Sequence, residues 1–410
     1  MKHIIVVGGG AAGMMAAIWA ARNGNKVTIY EKNDRLGRKL FITGKGRCNL
    51  TNACDVNELF EKVCTNDKFM YSSFYGFSND MTIAFFEELG LKTKVERGQR
   101  VFPASDKSSD VISVLSKELK RLGVKVVLET AVKGLYIENE QAKGVYLAGT
   151  PEEPVRSDSV IVTTGGYSYQ ATGSTGDGYR FAKESGHKVI KISPSLVPLE
   201  TVEDYPNIMM GLSLKNVRFT ICANQKEIYS EVGEMLFTHY GVSGPLVLTG
   251  STKLIPYLSQ TPITLKIDMK PALSYEQLDQ RILRDFENKK NKHIKNALDK
   301  LLPQKMIPVM IEYTKIDPEK PINAITKAER ECLLKACKEF TLTFRKLRDY
   351  NEAIVTKGGV SVKDIDPGTM ESKRIKNLYF AGEVLDLDAV TGGFNLQIAW
   401  STGWVAGVNQ

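Results

Sequence analysis

The stretch from Ile4 to Glu31 constrains the fold of this chain more than any other part of the sequence. A short apolar run leads into the turn Gly8-Gly9-Gly10-Ala11-Ala12-Gly13, and a helical segment follows over residues 14–22. A second apolar run over residues 26–30 ends on the acid Glu31, 18 residues after the last glycine of the turn. This order and spacing predict strand, turn, helix and strand, which is the arrangement of a dinucleotide-binding βαβ unit.

The glycines and the acid of this unit have separate physical roles. Gly8 permits a tight turn, Gly10 leaves room for the backbone to approach a pyrophosphate, and Gly13 lets the helix pack closely on the strand. The helix N-terminus offers free N–H groups and partial positive charge to phosphates. Glu31 is placed to accept hydrogen bonds from a ribose diol, which favours FAD or NAD over NADP.

Composition narrows the class of protein. The chain has 410 residues, enough for two or three domains, and its formal net charge is +8. The densest basic cluster, residues 289–295, lacks interleaved aromatic residues and is predicted to be a solvated helix face, so we expect no nucleic-acid partner. No apolar run reaches about 18 residues, so we expect no membrane segment and a cytoplasmic protein. The six cysteines form no CxxC pair, and we expect no metal site.

The segment after Glu31 is dense in glycine and cations. Residues 32–52 contain Gly-Arg-Lys-Leu and then Thr-Gly-Lys-Gly-Arg-Cys-Asn-Leu-Thr-Asn. Arg38 and Lys39 can neutralise phosphate, and N–H groups around Gly44 and Gly46 can form an anion-binding nest. We interpret the segment as a loop that wraps an anionic cofactor.

The same two motifs resemble a family of bacterial NAD(P)/FAD-dependent oxidoreductases that includes aminoacetone-oxidase-type flavoproteins and 3-dehydro-bile-acid reductases. The resemblance extends over essentially the whole chain, and it implies that this loop runs along a non-covalent FAD. Cys48 and Cys54 have five residues between them, whereas the two redox cysteines of glutathione-reductase-type enzymes have four. We therefore interpret Cys48 as a packing or flavin-adjacent residue and not as half of a redox disulfide.

Two later glycine motifs extend the predicted cofactor site. Residues 159–166 form a buried strand that ends on a double glycine, and residues 377–383 form another that ends on Glu383, a candidate for the ribityl chain. A helix follows to about residue 406, and its first N–H groups would stabilise negative charge at N1 and O2 of reduced flavin. By resemblance, Val132 meets the adenine ring. The loop over residues 171–179 is also similar to flavoproteins of the fumarate reductase type.

These motifs, together with what the family resemblance implies, give the residues that we expect to contact the cofactor. They are Gly8, Gly10, Ala11, Ala12, Gly13, Glu31, Lys32, Arg38, Lys39, Gly44, Gly46, Arg47, Cys48, Asn49, Val132, Thr164, Gly165, Gly166, Gly382, Glu383, Gly393, Asn395, Leu396 and Gln397.

The predicted fold is α/β, with an interrupted, glutathione-reductase-like Rossmann domain that binds FAD. We assign residues 1–192 and 351–410 to this domain, residues 193–270 to an inserted small β-barrel, and residues 271–350 to a helical subdomain. Residues 193–350 are expected to form a cap over the isoalloxazine ring.

The predicted function is an NAD(P)H-linked flavin reductase of an activated C=C bond or a related small organic substrate. One alternative is an oxidase of a small, aminoacetone-like amine that releases hydrogen peroxide, and a more remote one is a non-catalytic flavin-binding protein. Lys45, His239 and Lys357 are weak candidates for an acid or base. No second GxGxxG unit follows the barrel, so NADH or NADPH would have to bind transiently. The sequence does not indicate an oligomeric state.

Overall fold

The computed structural model describes residues 1–410, apart from the side chain of Pro151. The strands are β1 His3–Val7, β2 Lys26–Tyr30, β3 Thr51–Asn52, β4 Thr93–Glu96, β5 Arg100–Pro103, β6 Lys125–Val127, β7 Val132–Glu138, β8 Gln141–Leu147, β9 Thr150–Arg156, β10 Ser159–Val162, β11 Val189–Ser195, β12 Leu199–Thr201, β13 Ser213–Ala223, β14 Lys226–Thr238, β15 Gly241–Ser243, β16 Ile263–Asp268, β17 Phe340–Leu347, β18 Val355–Val360 and β19 Leu378–Phe380.

The α-helices follow the same chain order. They are α1 Ala11–Arg22, α2 Arg38–Gly46, α3 Val56–Lys62, α4 Tyr71–Gly76, α5 Asn79–Glu88, α6 Ser108–Arg121, α7 Asp177–Glu184, α8 Tyr205–Ile208, α9 Pro245–Leu254, α10 Tyr275–Glu287, α11 Ile307–Thr314, α12 Lys327–Lys338 and α13 Phe394–Val408. Within the part of the chain described, no helix is long and apolar enough to span a membrane.

Residues 1–194 and 350–410 form one compact unit, the flavin unit. Its central sheet has the strand order β19-β10-β1-β2-β6, and every neighbouring pair is parallel. Strand β1 lies in the middle, with Ile4 paired to Ser159 on one side and Val27 on the other. Its continuous apolar sequence fits this position, because a central parallel strand is buried on both faces. The predicted Rossmann-like domain is confirmed.

Helices α1 and α13 pack against each other through small residues in the flavin unit. A Cβ placed on Gly403 would lie 2.5 Å from the backbone oxygen of Ala12, and one on Gly407 would lie 2.5 Å from that of Ala16. Neither distance leaves room for a side chain. The two helices can therefore approach this closely only because the sequence places glycine four residues apart on α13.

Residues 195–349 form the second compact unit, the barrel unit. Strands β12-β15-β14-β13-β16-β17 close into a barrel, since β12 pairs with both β15 and β17. Phe219, Phe237 and Phe340 are fully buried and belong to one hydrophobic core with side chains of α10, α11 and α12. The barrel predicted from the short strands is confirmed.

The last barrel strand lies in a segment for which we expected helices. Residues 340–347 form β17, which pairs with β16 and β12 and closes the barrel. Burial alternates at its start, where Phe340 and Leu342 are buried and Thr341 is partly exposed. This alternation is the pattern of a half-buried strand, and the charged, helix-rich segment before it obscures the change of period.

Candidate functional site

Four predicted motifs meet at one edge of the central sheet. The glycine turn follows β1, Glu31 follows β2, residues 163–166 follow β10, and Glu383 lies three residues after β19. Because these strands are parallel, their carboxyl ends share the same edge. Open α/β sheets bind ligands at this edge. We call these four segments, together with the N-terminus of α13, the flavin edge.

The glycine turn forms a cradle at the start of α1. Gly8 has φ +101°, and a Cβ on Gly13 would lie 2.0 Å from the Gly8 oxygen. At Gly10, by contrast, an added Cβ would meet no atom within 4 Å. Gly10 is the N-cap of α1, and no side chain caps it. The turn therefore presents open space beside N–H groups that have no partner within the helix, including those of Ala11 and Ala12.

Glu31 is held in place by three hydrogen bonds. Its Oε2 accepts from the Gly9 N–H at 2.7 Å, and its Oε1 accepts from the backbone N–H and Nδ2 of Asn33 at 2.9 and 2.7 Å. The side chain is 7% exposed. The Thr130 N–H also donates to the Glu31 backbone oxygen at 2.9 Å, which brings the segment before Val132 beside the acid. These contacts place the Glu31 carboxylate and the segment before Val132 side by side, and their roles toward ribose and adenine stay predictions.

Glu383 is the centre of a second cluster. Its Oε2 accepts from Lys39 Nζ at 2.7 Å, and its Oε1 accepts from the Thr356 N–H at 2.9 Å. Lys39 Nζ also donates to Ser168 Oγ at 2.6 Å. A Cβ on Gly166 would lie 2.8 Å from Glu383 Oε1, so this approach requires glycine at position 166. Lys39 therefore pairs with Glu383, and its contact with the cofactor stays a prediction.

The first turn of α13 has no side-chain cap at its N-terminus. Gly393 is the N-cap, has φ +101° and makes no side-chain cap. The Asn395 side chain accepts from the Ala389 N–H at 2.9 Å and donates to the Ala389 oxygen at 2.8 Å. The N–H groups of Asn395 and Leu396 belong to the first turn, which has no intrahelical acceptors.

Gln397 departs from its predicted role. Its N–H donates to the Gly393 oxygen at 3.0 Å, so it closes the first turn of the helix. Its buried side chain accepts from Thr51 Oγ1 at 2.6 Å and donates to Ser401 Oγ at 2.9 Å. The Gln397 side chain thus belongs to the core of the flavin unit, its N–H is bonded within the helix, and its contact with the cofactor stays a prediction.

The segment predicted as a loop is partly helical. Helix α2 covers residues 38–46, but its backbone is irregular at Thr43, Gly44 and Lys45. Gly44, Lys45 and Gly46 have φ values of +57°, +58° and +84°. Three left-handed residues in a row turn the chain sharply, and glycine lowers the strain at two of them. This turn exposes N–H groups of the kind that form a nest.

Two arginines of this segment have protein partners. Arg47 pairs with Glu96 and Asp106, and its guanidinium lies 4.2 Å from the ring centroid of Phe102. The hydrogen bond from Arg47 holds the pKa of Glu96 below its ordinary value. Arg38 Nη1 donates to Asn33 Oδ1 at 3.1 Å. The Arg47 charge is therefore balanced by carboxylates, whereas Arg38 remains beside the Glu31 subsite.

Cys48 is buried beside this turn. Its N–H donates to the Thr43 oxygen at 3.0 Å, and burial raises the pKa of its thiol to about 12. Burial also raises the pKa of Cys54 to about 11, and the six cysteines are free thiols. A protonated thiol is a poor nucleophile, so the surroundings of Cys48 fit packing. The adjacent Asn49 carries a buried Oδ1 that has no hydrogen-bond partner in the described part of the chain.

The remaining residues predicted to contact the cofactor differ in burial and in hydrogen-bond partners. Lys32 Nζ pairs with Asp177 Oδ2 at 2.7 Å, and Val132 is the buried first residue of β7. Gly165 has φ +71°. Thr164 Oγ1 is buried without a hydrogen-bond partner among the described residues. Unpartnered buried oxygens at Asn49 and Thr164 are explained if a polar ligand completes their hydrogen bonds.

The three candidate acids or bases lie in different surroundings. Lys45 is exposed and left-handed, and His239 is exposed in the turn between β14 and β15, where its ring packs 4.7 Å from that of Tyr240. His239 belongs to the barrel unit. Lys357 is part of a cluster with Asp388 and Thr65 in the flavin unit.

Sequence reasoning missed Asn33, Ser168 and Thr356. All three order the two carboxylates of the flavin edge. Thr356 lies on β18, and its contact with Glu383 joins residues 27 positions apart. Residue type alone could not identify these neighbours, because serine, threonine and asparagine are common in loops of every kind.

The flavin edge fits FAD. Two uncapped helix N-termini flank it, the space beside Gly10 is open, and unpartnered oxygens remain at Asn49 and Thr164. An ordered acid lies at each of the two positions where a ribose and a ribityl chain are expected. The donors and acceptors therefore match an extended, hydroxyl-rich dinucleotide.

Comparison with known proteins identifies the family to which the chain is similar. The family described as HI0933-like protein Rossmann domain matches residues 2–409. A 3-dehydro-bile acid delta(4,6)-reductase of Clostridium scindens is 32% identical over 413 residues, which cover 99% of this chain and 98% of that protein. A ribosomal RNA dihydrouridine synthase of Haemophilus influenzae is 30% identical over 407 residues, 99% of this chain and 97% of that protein.

Solved structures share the fold at low sequence identity. A 3-ketosteroid-delta4-(5alpha)-dehydrogenase from Rhodococcus jostii aligns with a TM-score of 0.53 at 15% identity, over 100% of this chain and 96% of that one. The resemblance drawn from the sequence motifs is confirmed. The chain belongs to the HI0933-like family, and it is an FAD-dependent oxidoreductase.

Proposed function

We propose that this chain reduces a C=C bond that is conjugated to a carbonyl group. The observation that carries the proposal is that two relatives aligned over 99% of the chain are named for this kind of change. One is named as a delta(4,6)-reductase of a 3-dehydro bile acid. The other is named for dihydrouridine, which is uridine whose ring C=C bond, conjugated to a carbonyl, has been reduced.

The flavin edge supports the positioning that such a reaction needs. We assign the pyrophosphate to the turn at Gly10 and α1, and the adenosine ribose to Glu31. Glu383, ordered by Lys39 and Thr356, would hold the ribityl chain. The uncapped first turn of α13 would offset negative charge at the pyrimidine end of the isoalloxazine ring. Bound FAD supplies the hydride carrier, which this chain orients and shields.

We propose NADH or NADPH as a transient electron donor. The sequence carries no second GxGxxG unit after the barrel, so the donor would bind for the half-reaction and leave. The test is an anaerobic titration of the FAD-loaded protein with each nucleotide, followed through the flavin absorption. Bleaching within seconds supports the donor, and re-oxidation by a 3-keto-4-ene steroid as probe supports the reductase. If the steroid does not re-oxidise the reduced flavin, 3-keto-4-ene steroids are excluded as substrates.

A uracil base in RNA is the second candidate substrate. It is favoured by the full-length alignment with the ribosomal RNA dihydrouridine synthase, and the formal net charge of +8 suits an anionic partner. The expectation of no nucleic-acid partner is therefore open to direct test. Incubation of the enzyme and NADPH with transcribed ribosomal RNA, followed by nucleoside mass spectrometry, should show dihydrouridine if RNA is the substrate. Free uridine is the matched control.

The amine oxidase alternative has its own outcome in the same experiments. Flavin that resists NADH and NADPH but is reduced by aminoacetone, with hydrogen peroxide formed in air, would replace the reductase proposal. Protein that cannot be loaded with FAD would contradict the flavin edge itself.

A further inference from the structure

A buried ion pair lies between two parts of the flavin edge. Lys357 Nζ donates to Thr65 Oγ1 at 2.8 Å and lies 3.6 Å from Asp388 Oδ1. The Lys357 side chain is 20% exposed and that of Asp388 only 1%. A carboxylate this deeply buried is costly unless a cation or hydrogen bonds compensate it. Lys357 therefore has a specific electrostatic partner and is not a solvated surface lysine.

The pair is connected to Glu383 through β18. Thr356, the residue before Lys357, donates its N–H to Glu383 Oε1 at 2.9 Å. Its Oγ1 accepts from the Tyr167 N–H at 2.7 Å, directly after the double glycine. Any shift of β18 at Lys357 would thus move groups that order the Glu383 carboxylate.

The pair is also connected to the start of α13. Asp388 is followed by Ala389, whose N–H and carbonyl oxygen both bond the side chain of Asn395 in the first turn of α13. The Asp388 carbonyl oxygen accepts from the Cys64 N–H at 2.7 Å. The segment that carries Asp388 is therefore tied at one end to the helix turn assigned to the pyrimidine of the flavin.

A second buried carboxylate, that of Asp386, adds to the negative charge that Lys357 compensates. Asp386 Oδ2 accepts from Asn66 Nδ2 at 3.0 Å, and burial followed by the nearby Asp388 charge raises the pKa of Asp386 above its ordinary value. Lys357 acts in the opposite direction and lowers that pKa. One cation thus serves two buried carboxylates that lie between the ribityl acid and the helix N-terminus.

We propose that Lys357 is a positioning residue that fixes the segment from Glu383 to α13, and that it thereby holds the N-terminus of α13 in the geometry that favours reduced flavin. The proposal rests on FAD bound at the flavin edge and does not depend on which substrate is reduced. Lys357 acts through Asp388 and needs no contact with the reacting atoms.

The test uses sulfite as probe on the FAD-loaded protein. Sulfite adds to flavin N5 and leaves negative charge on the pyrimidine, so its affinity reports how well the protein stabilises that charge. Lys357→Met should weaken sulfite binding about tenfold, which for a two-electron couple corresponds to about 30 mV in flavin potential. Lys357→Arg should retain affinity within about threefold. Lys363→Met, at an exposed lysine on the same unit, is the matched control and should leave it unchanged.

Stoichiometric FAD in Lys357→Met together with wild-type sulfite affinity and potential would overturn the proposal. If Lys357→Met does not retain FAD, Thr65→Val provides the second test, because it removes one partner of Nζ without changing charge. Thr65→Val should weaken sulfite binding two- to threefold, and an unchanged affinity there would equally reject the role. Loss of steroid or RNA reduction with normal sulfite binding would instead count against the proposed function.

Discussion

In the central sheet of the flavin unit the strands run parallel and end together at one edge, whereas in the barrel unit they run antiparallel and close on themselves. The parallel sheet leaves backbone groups, uncapped helices and two ordered carboxylates at its carboxyl edge. The closed barrel uses its strands to enclose Phe219, Phe237 and Phe340. In the flavin unit the candidate site residues follow the strands, whereas in the barrel unit the core residues lie within the strands.

This difference separates two kinds of constraint. The flavin edge depends on residues that must be small or must accept specific hydrogen bonds, so a single methyl group is decisive at Gly13 and harmless to packing at Gly10. The barrel depends on volume and on alternation, so related apolar residues can replace one another. Four experiments examine how far this distinction holds.

The largest effect is expected for Gly13→Ala. Its Cβ would lie 2.0 Å from the Gly8 oxygen, so the turn must shift, at a cost of about 3 kcal/mol or more in the free energy of unfolding and with loss of retained FAD. Gly10→Ala is the matched control, because its Cβ meets no protein atom. We expect it to preserve the apo-protein Tm but to weaken FAD binding. Thermal unfolding of the apo-protein measures Tm, and FAD titration measures affinity. Equal loss of stability in the two variants would contradict the difference in packing between Gly13 and Gly10.

In the barrel unit, Phe340→Ala should lower the free energy of unfolding by about 3–5 kcal/mol, because it leaves a cavity in a fully buried position. FAD affinity should stay within about threefold of wild type. Denaturant unfolding followed by circular dichroism checks the first value. Val232→Ala, at a side chain that is 49% exposed, is the control and should change stability by less than about 0.5 kcal/mol. If folded Phe340→Ala at low temperature did not retain FAD, the flavin edge and the barrel core would not be under separate constraints.

A smaller effect is expected for Glu31→Ala. The variant removes a carboxylate that accepts from Gly9 and Asn33, and with it the acceptor for a ribose diol. Hydrogen bonds to a charged group contribute about 1.5–3 kcal/mol each, so FAD affinity should fall roughly ten- to a hundredfold. Asp34→Asn, whose side chain is 55% exposed, is the control. Fluorescence titration with FAD measures both, and equal affinities would exclude the ribose assignment.

The smallest effect concerns Cys48. Since burial raises the pKa of its thiol to about 12, the thiol stays protonated throughout pH 7–9, and alkylation of the folded protein should be slow at this site. The exposed Cys332 should react first. Peptide mapping after brief iodoacetamide treatment distinguishes them. Cys48→Ala should change the rate of flavin reduction less than about twofold, and a larger loss would restore a redox role to this residue.

The motifs of the flavin unit could be predicted because each one is local. The turn from Gly8 to Gly13, the spacing to Glu31 and the helix after Gly393 follow from neighbouring residues. The partners of the charged groups could not be predicted, because they depend on tertiary contacts. Lys39 meets Glu383 across 344 positions of sequence, and Arg47 meets Asp106 across 59. The strand β17 was missed for a related reason, since its pairing partners β16 and β12 lie far away in sequence.

The glycine contacts between α1 and α13 have a consequence for how the protein is made. Residues 11–22 leave the ribosome long before residues 394–408, yet Gly403 and Gly407 must seat against Ala12 and Ala16. At roughly 5–20 residues per second, the interval is on the order of 20–80 seconds. During that time the barrel unit, which is contiguous in sequence, can complete its own core. The N-terminus of α13 is therefore among the last parts of the flavin edge to form, and the contact between α1 and α13 can be made only after synthesis is almost complete.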